Sequence, residues 1–395
     1  MPVFLQQLTL KGFLSFGRAS VVLLRPLNVV IGPNGSGKSN LVEALSVLRA
    51  VPKDLPLPIR QGGGVTDWLW RDASEQPASR AEIEVVVAAG LVAVPPGGSA
   101  VRYQLAFGAQ GDSFVVLDER IENEHPTSGA PKPYFYFGYE NGRPMLNVKN
   151  ERRELRREDI DPTQSILSQR RDPDTYPELT RLANLLGRIV IYRNWQFGPD
   201  SSLRLSCAPD VRTDVLTESF DNLPARIAVL KRTPAVKKRL IELLSEVAAG
   251  FDDVEVVPEG GQLQLYLSER GRMMPARRLS DGTLRFLCLL AILLDPTPPP
   301  LVVIEEPELG LHPDLLPTVR DLLVDASTRC QLLVTTHSTQ LVDAMTMHAD
   351  SVLISEKRDG STNLFPLDQA NVEKWREHGS LGNLWMSGHL GGTRW

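Results

Sequence analysis

Gly32-Pro33-Asn34-Gly35-Ser36-Gly37-Lys38-Ser39 fits G-x-x-x-x-G-K-[ST], a pattern that cradles phosphate only where it joins a strand to a helix. Both neighbours are in place. Residues 27–31 form an apolar run that reads as a buried strand, and Leu41, Leu45 and Leu48 fall on one face of a helix beginning near Lys38. The glycines let backbone N–H groups turn toward phosphate oxygens, and the helix adds the positive end of its dipole. Lys38 then reaches the β- and γ-phosphates of a bound nucleotide, and the Ser39 hydroxyl becomes a ligand for Mg²⁺. The candidate nucleotide contacts are Asn34, Gly35, Ser36, Gly37, Lys38, Ser39 and Asn40.

Outward from this loop the N-terminal side reads as β. Short apolar runs at 3–11 and 20–24 precede it, and further runs at 81–88, 101–107, 114–117 and 134–139 have the spacing of an antiparallel meander. At Glu151-Arg152-Arg153-Glu154-Leu155-Arg156-Arg157-Glu158 the character changes, and this sign-alternating stretch reads as an exposed helix or hairpin rim. Helical spacing follows at 176–186 and 226–249, where Leu240, Leu243, Leu244 and Val247 form an apolar stripe. A strand pair is expected at 254–257 and 262–267. Beyond it helix and buried strand alternate, the rhythm of a parallel sheet flanked by helices. The expected organisation is one composite α/β unit: a β-rich part over 1–150 carrying the loop, a mainly helical part over 151–250, and a C-terminal part over 251–395.

Composition excludes several classes. A chain of 395 residues with 42% apolar and 23% charged residues is that of a soluble globular protein. The net charge of −5 argues against a wholly basic nucleic-acid coat, though not against a local basic groove. The longest strongly apolar stretch, 286–294, is too short to cross a bilayer, and the N-terminus lacks the pattern of a secretion signal. The three cysteines, Cys207, Cys288 and Cys330, suit neither a zinc site nor a disulfide framework, so a reducing cytoplasm is the expected setting.

Three further motifs bear on a nucleotide. Leu301-Val302-Val303-Ile304-Glu305-Glu306 is a buried strand ending in two carboxylates, and α/β sheets place ligands at such strand ends. Glu305 is expected to hold Mg²⁺ through water, and Glu306 to orient and deprotonate the attacking water. Leu279-Ser280-Asp281-Gly282-Thr283 opens an apolar helix; taken alone, a Ser-Asp-Gly turn there is an ordinary N-cap. Thr335-Thr336-His337-Ser338 ends another apolar strand, where the His337 imidazole can contact the γ-phosphate and the attacking water.

These motifs in this order resemble an ATP-binding-cassette (ABC) ATPase head of the group containing the structural-maintenance-of-chromosomes (SMC) proteins, RecF and the overcoming-lysogeny-defect nucleases. They are most similar to stand-alone chains labelled "AAA family ATPase". Ile304-Glu305-Glu306-Pro307-Glu308-Leu309-Gly310-Leu311-His312-Pro313, Leu279-Ser280-Asp281-Gly282-Thr283 and Leu381-Gly382-Asn383-Leu384-Trp385 carry the likeness. The resemblance implies an ABC head with a mixed or parallel core sheet, an antiparallel β-subdomain and a helical lobe. It also implies ATP and Mg²⁺ as ligands, and a head-to-tail homodimer that ATP induces. In such a dimer Ser280 and Gly282 meet the nucleotide held by the other copy.

The chain departs from the ABC pattern in three places. Asp281 stands where the signature loop usually has its first glycine, setting a negative charge near the phosphate unless it points away or is paired. Glu305 replaces an aspartate. The glutamine that links the metal to the helical lobe has two candidates, Gln169 and Gln196; we assign it to Gln169, at the entry to the helical part. DNA and an effector protein are the two partner classes. Lys231-Arg232, Lys237-Lys238-Arg239 and the arginines 270, 272, 277 and 278 are the candidate DNA contacts, and a solvated face is the plainer reading. The long span between loop and acidic strand, and the missing membrane segment, speak against a transporter motor.

Overall fold

The computed structural model describes residues 3–92, 100–126, 129–140, 143–148, 151–155, 159–198, 201–247, 250–367 and 380–390. Its centre is a six-stranded sheet in the order β10 (Val190–Tyr192), β14 (Leu301–Glu305), β15 (Gln331–Thr336), β3 (Leu27–Ile31), β16 (Val352–Arg358) and β17 (Ser361–Pro366). The first five run parallel, and β17 turns back antiparallel on β16. The apolar runs are continuous because both faces of this sheet are covered. Val29, Ile31, Val302 and Ile304 enter one core, beneath the helix Asp281–Leu293. Val30, Leu301, Val303 and Leu333 enter the other, together with Leu41, Leu45 and Leu48 of the helix Lys38–Ala50.

An antiparallel sheet stacks beside this unit in the order β2 (Ser20–Leu23), β1 (Leu5–Lys11), β4 (Ala81–Val87), β5 (Val101–Gln110), β6 (Ser113–Asn123), β7 (Phe135–Glu140), β8 (Arg143–Val148) and β9 (Glu151–Glu154). The expected meander is therefore present. The alternating charges at 151–154 belong to its last strand, paired with β8, so the sheet runs past residue 150; residues 156–158 lie outside the described residues. A third sheet, β11 (Phe251–Glu259), β12 (Gln262–Glu269) and β13 (Arg272–Pro275), contains the expected strand pair.

The middle of the chain mixes helices with one core strand. Helices at Ile166–Gln169 and Pro177–Leu186 precede β10 along the chain and those at Leu223–Leu230 and Pro234–Val247 follow it; β10 itself joins the central sheet as its edge. The helical run expected over 226–249 is broken at 231–233, because Pro234 has no N–H to continue a helix and starts a new one. One buried carboxylate ties the β-rich part to this region. Glu119 on β6 accepts from the Ile166 N–H (2.8 Å), the Tyr103 hydroxyl (2.8 Å) and the Ser165 hydroxyl, fixing the start of the helix Ile166–Gln169.

Candidate nucleotide site

β3 delivers the chain into the loop at Gly32, and the helix begins at Lys38. Gly37 sits at φ +105°, a conformation that favours glycine, and a Cβ there would lie 2.3 Å from the Thr362 hydroxyl. The hydroxyls of Ser355 and Thr362 bond the Ser36 carbonyl at 3.0 and 2.8 Å, and Thr362 also bonds Ser15 at 2.7 Å. β16, β17 and the turn at Ser15 thus brace the loop from outside. The Asn40 amide joins this brace by donating to Ser15 Oγ (2.7 Å). Gly35 faces open space, and the Ser36 hydroxyl is buried without a hydrogen-bond partner.

The Lys38 ammonium is buried and donates to the loop's own carbonyls, Gly32 at 2.7 Å and Pro33 at 3.0 Å. Burial lowers its pKa to about 8, against the opposing pull of Glu306 and Glu305. At neutral pH it keeps its charge and faces two carboxylates across a cavity of about 270 Å³, lined by Lys38, Ser39, Arg193, Trp195, Arg285, Glu305, Glu306, Leu309, Thr335 and His337. The structure therefore brings together five residues from three separate segments: Lys38, Ser39, Glu305, Glu306 and His337.

Glu305 ends β14. Its carboxyl lies above the ordinary range because it is buried; Arg193 and a hydrogen bond from Ser39 oppose that rise, while Glu43 and Glu306 reinforce it. Glu306 follows at φ +47°, a left-handed conformation unusual for a side-chain-bearing residue. Three contacts hold its backbone there: its N–H donates to the Thr335 carbonyl (2.9 Å), and its carbonyl accepts from Leu309 N–H (3.2 Å) and Arg285 Nη1 (3.2 Å). His337 Nε2 is 3.6 Å from Glu306 Oε1. Burial, then the Lys38 charge, lowers the imidazole pKa despite Glu306, so the ring is neutral at pH 7.

Sequence reasoning passed over the residues that frame this cavity. Arg285, buried on the helix Asp281–Leu293, lies 4.7 Å over the Trp195 ring and 4.9 Å over Phe197, and Trp195 Nε1 donates to the Glu305 carbonyl (2.8 Å). Desolvation draws the Arg285 pKa down to about 10, so it stays a cation. Arg204 bonds the carbonyls of Phe197 (3.0 Å) and Leu279 (2.7 Å) and pairs with Asp281. It straps the Ser280 turn to the segment after β10 and neutralises the carboxylate that the sequence left beside the phosphate. Neither arginine has a motif around it.

One assignment, Gln169, looks different in three dimensions. The Gln169 side chain is engaged in its own turn: its carbonyl accepts from Asp161 N–H (2.8 Å), and its amide donates to the carbonyls of Asp161 (3.1 Å) and Gln164 (3.0 Å). It is not among the residues lining the cavity. Gln196, exposed, follows Trp195 beyond the carboxyl end of β10; Trp195 lines the cavity and Gln196 does not. Ser280 and Gly282 lie off this cavity too, which the expected contact with another copy's nucleotide allows. Ser280 caps its helix by accepting from Thr283 N–H (3.1 Å), and Gly282 packs on the Gly310 carbonyl so closely that a Cβ would be 2.9 Å from it.

The cavity fits a Mg²⁺-bound triphosphate. It offers a captive ammonium at Lys38 and a Ser39–Glu305 pair on the hard-oxygen side, and the adjoining loop keeps a buried hydroxyl at Ser36 without a partner. Among the described residues no group of three His, Cys, Asp or Glu forms a metal cage; Mg²⁺ held largely by phosphates and water needs none.

Comparison with known proteins agrees with this geometry. Residues 27–343 match the family described as "AAA domain, putative AbiEii toxin, Type IV TA system", and the chain belongs to that family. Its fold is that of an SMC-type ABC ATPase head. A solved Smc head bound to the C-winged helix domain of ScpA superposes with a TM-score of 0.60 at 16% identity, covering 93% of this chain and 99% of that one. The chromosome partition protein Smc of Mycolicibacterium paratuberculosis is 38% identical over 87 residues, 22% of this chain and 7% of that protein. The Smc of Desulfitobacterium hafniense is 26% identical over 213 residues, 50% of this chain and 17% of that protein. The chain thus spans a small fraction of these relatives' length. Among the described residues no helix is long and apolar enough to cross a membrane.

Proposed function

We propose that the chain binds and hydrolyses ATP, with two copies closing head to tail around two nucleotides, and that it acts on DNA in repair or in defence against foreign DNA. The observation that carries the ATPase reading is the convergence of Lys38, Ser39, Glu305, Glu306 and His337 on one cavity. In this reading the loop amides and Lys38 bind the phosphates. Ser39 and Glu305 hold Mg²⁺, which supplies charge neutralisation when bound. Glu306 takes the proton of the attacking water, and neutral His337 beside it positions that water. Gln196 replaces Gln169 as the metal-side glutamine, since Gln169 is occupied in its own turn.

The dimer reading rests on what the site lacks within one chain. Ser280 and Gly282, at a helix N-terminus, are not among the residues that line the cavity, so in this reading they serve an anion held by a second copy. Leu309, 57% exposed at the cavity rim, is an apolar side chain for such a seam.

The two basic regions divide on the DNA role. Lys231 pairs with Asp253 and Glu255, Lys237 with Asp253, and Lys238 and Arg239 with Glu242, so this cluster is largely neutralised. Arg270, Arg272, Arg277 and Arg278 are exposed and form no ion pair among the described residues. They flank the Ser280 turn and favour a nucleic acid. The second reading is a scaffold ATPase whose closed dimer recruits a protein; it is favoured by the solved Smc head that carries a ScpA domain. ATP turnover with and without duplex DNA, across a salt series, separates the two. The DNA reading requires stimulation that fades as salt rises and is lost in Arg277→Glu/Arg278→Glu. Turnover indifferent to DNA leaves the scaffold reading, and turnover unchanged in Lys38→Ala removes the ATPase assignment.

A further inference from the structure

A second cavity, of about 830 Å³, lies at the other end of the same strands. Val190, which opens β10, forms part of its wall, as do Thr297 and Pro299 on the approach to β14; Arg193 and Glu305, at or past the carboxyl ends of these strands, line the nucleotide cavity instead. The two cavities are therefore separated by the length of the strands. The elements that converge here are the end of the helix Lys38–Ala50, the turn before β10, the 212–219 loop and the helix Leu223–Leu230.

The lining is cationic. Arg49, Lys53, Arg188, Arg212, Arg226 and Arg232 face two carboxylates, Asp214 and Glu218. Internal pairing accounts for half of these cations. Arg49 pairs with Glu218, Arg212 with Asp214 (2.5 Å), and buried Arg226 with equally buried Asp295 (2.5 Å). Lys53, Arg188 and Arg232 are exposed and form no ion pair among the described residues; Lys53 reaches only the Gly187 carbonyl, at 3.3 Å. The buried Nε of Arg226 has no hydrogen-bond partner. Burial, followed by repulsion from Arg49 and Arg212, holds the Lys53 ammonium below its ordinary pKa, as expected where positive charge is crowded.

Such crowding costs free energy in the ligand-free protein, and an anion relieves it. Guanidinium groups match phosphate oxygens in geometry as well as charge. The volume lies in the range of small-molecule sites. No aromatic ring is among the lining residues, so nothing offers a base a stacking surface. That combination selects phosphate groups rather than bases. We propose that this cavity is a second anion site, distinct from the nucleotide site, that takes a compact phosphate-dense ligand: a polyphosphate chain or the terminal 5′-phosphate of a nucleic-acid strand.

The test is calorimetric titration of the full chain with inorganic tripolyphosphate, and with a short single strand carrying either a 5′-phosphate or a 5′-hydroxyl. Two classes of tripolyphosphate binding are expected. Lys38→Ala should remove one class. Arg188→Glu with Arg232→Glu should weaken the other at least tenfold and leave ATP affinity at the first unchanged. Both arginines are exposed, so charge reversal leaves the core intact; circular dichroism checks the fold, and Lys53→Glu gives an independent variant. Binding of tripolyphosphate alone identifies the polyphosphate source, and preference for the 5′-phosphorylated strand identifies the terminal phosphate. A single binding class that Lys38→Ala abolishes overturns the proposal. So does binding that none of the three cation reversals weakens. Equal binding of the two strands without competition from tripolyphosphate would mean a backbone track, and would overturn it as well.

Discussion

Glu306 holds a left-handed backbone at φ +47°, a conformation that costs a side-chain-bearing residue about 1–2 kcal/mol. The surroundings impose it through the Thr335 carbonyl, Leu309 N–H and Arg285 guanidinium, and the outcome is a carboxylate 3.6 Å from His337 across from Lys38. Glu306→Gln keeps the shape and these backbone contacts and removes the base. It should bind ATP with unchanged affinity while turnover falls by about two to four orders of magnitude, as single-turnover kinetics will read. Normal turnover in this variant would move the role to Glu305 or His337. At this scale the sequence was legible wherever chemistry needs a fixed spacing: the loop, the paired acids and the histidine after a buried strand all reach one cavity. Arg204 and Arg285 escaped notice because each acts through carbonyls and aromatic faces far along the chain, and such partners leave no local pattern. Gln169 was placed by its position at a junction, yet its amide bonds the turn that makes the junction.

Between elements, Glu119 is the clearest joint. It is fully buried, and its carboxyl pKa rises from 4.5 to about 7 through burial, with the Ser165, Ile166 and Tyr103 hydrogen bonds opposing that rise. Between these two values the native protein holds a proton that the unfolded chain has lost. Stability therefore falls as pH climbs through this window and returns on acidification, by on the order of 3 kcal/mol from this group. Glu119→Gln removes the titration. Urea midpoints at pH 5 and pH 8 should differ between the wild type and the variant, with the wild type losing more on going to pH 8. Parallel changes in both would show that the carboxyl does not titrate there. The joint could not be read in advance, because Glu119 sits in the charged run Asp118-Glu119-Arg120, where a carboxylate ordinarily faces water. The elements themselves were largely legible: the meander, the P-loop unit and the C-terminal alternation follow from period and turn residues. The last meander strand, β9, was hidden by its charges, and the break at 231–233 lay in a run of uniform helical spacing ended by Pro234.

For the whole molecule, the decisive question is whether one chain can complete a site. Ser280 and Gly282 open a helix and do not line the Lys38 cavity. Asp281, which the sequence set against an incoming phosphate, is paired with Arg204, and this removes most of the electrostatic objection to a closed dimer. Since the helix N-terminus is satisfied by an anion only when a second copy brings one, nucleotide should shift the monomer–dimer balance toward closure. Ser280→Arg places bulk and a long side chain in that seam, and should block closure while each monomer still binds ATP. Lys38→Ala should abolish turnover by removing the phosphate-binding cation. Each variant is inactive alone, but a mixture can assemble one intact composite site, from the unaltered P-loop of the Ser280→Arg chain and the unaltered Ser280 turn of the Lys38→Ala chain. Turnover should therefore recover partially on mixing, with a maximum near equal amounts, and ATP should raise the mass measured by light scattering in the wild type but not in Ser280→Arg. No recovery at any ratio, with both chains folded and able to associate, would mean that each head completes its own site and that the Ser280 turn serves only to cap its helix.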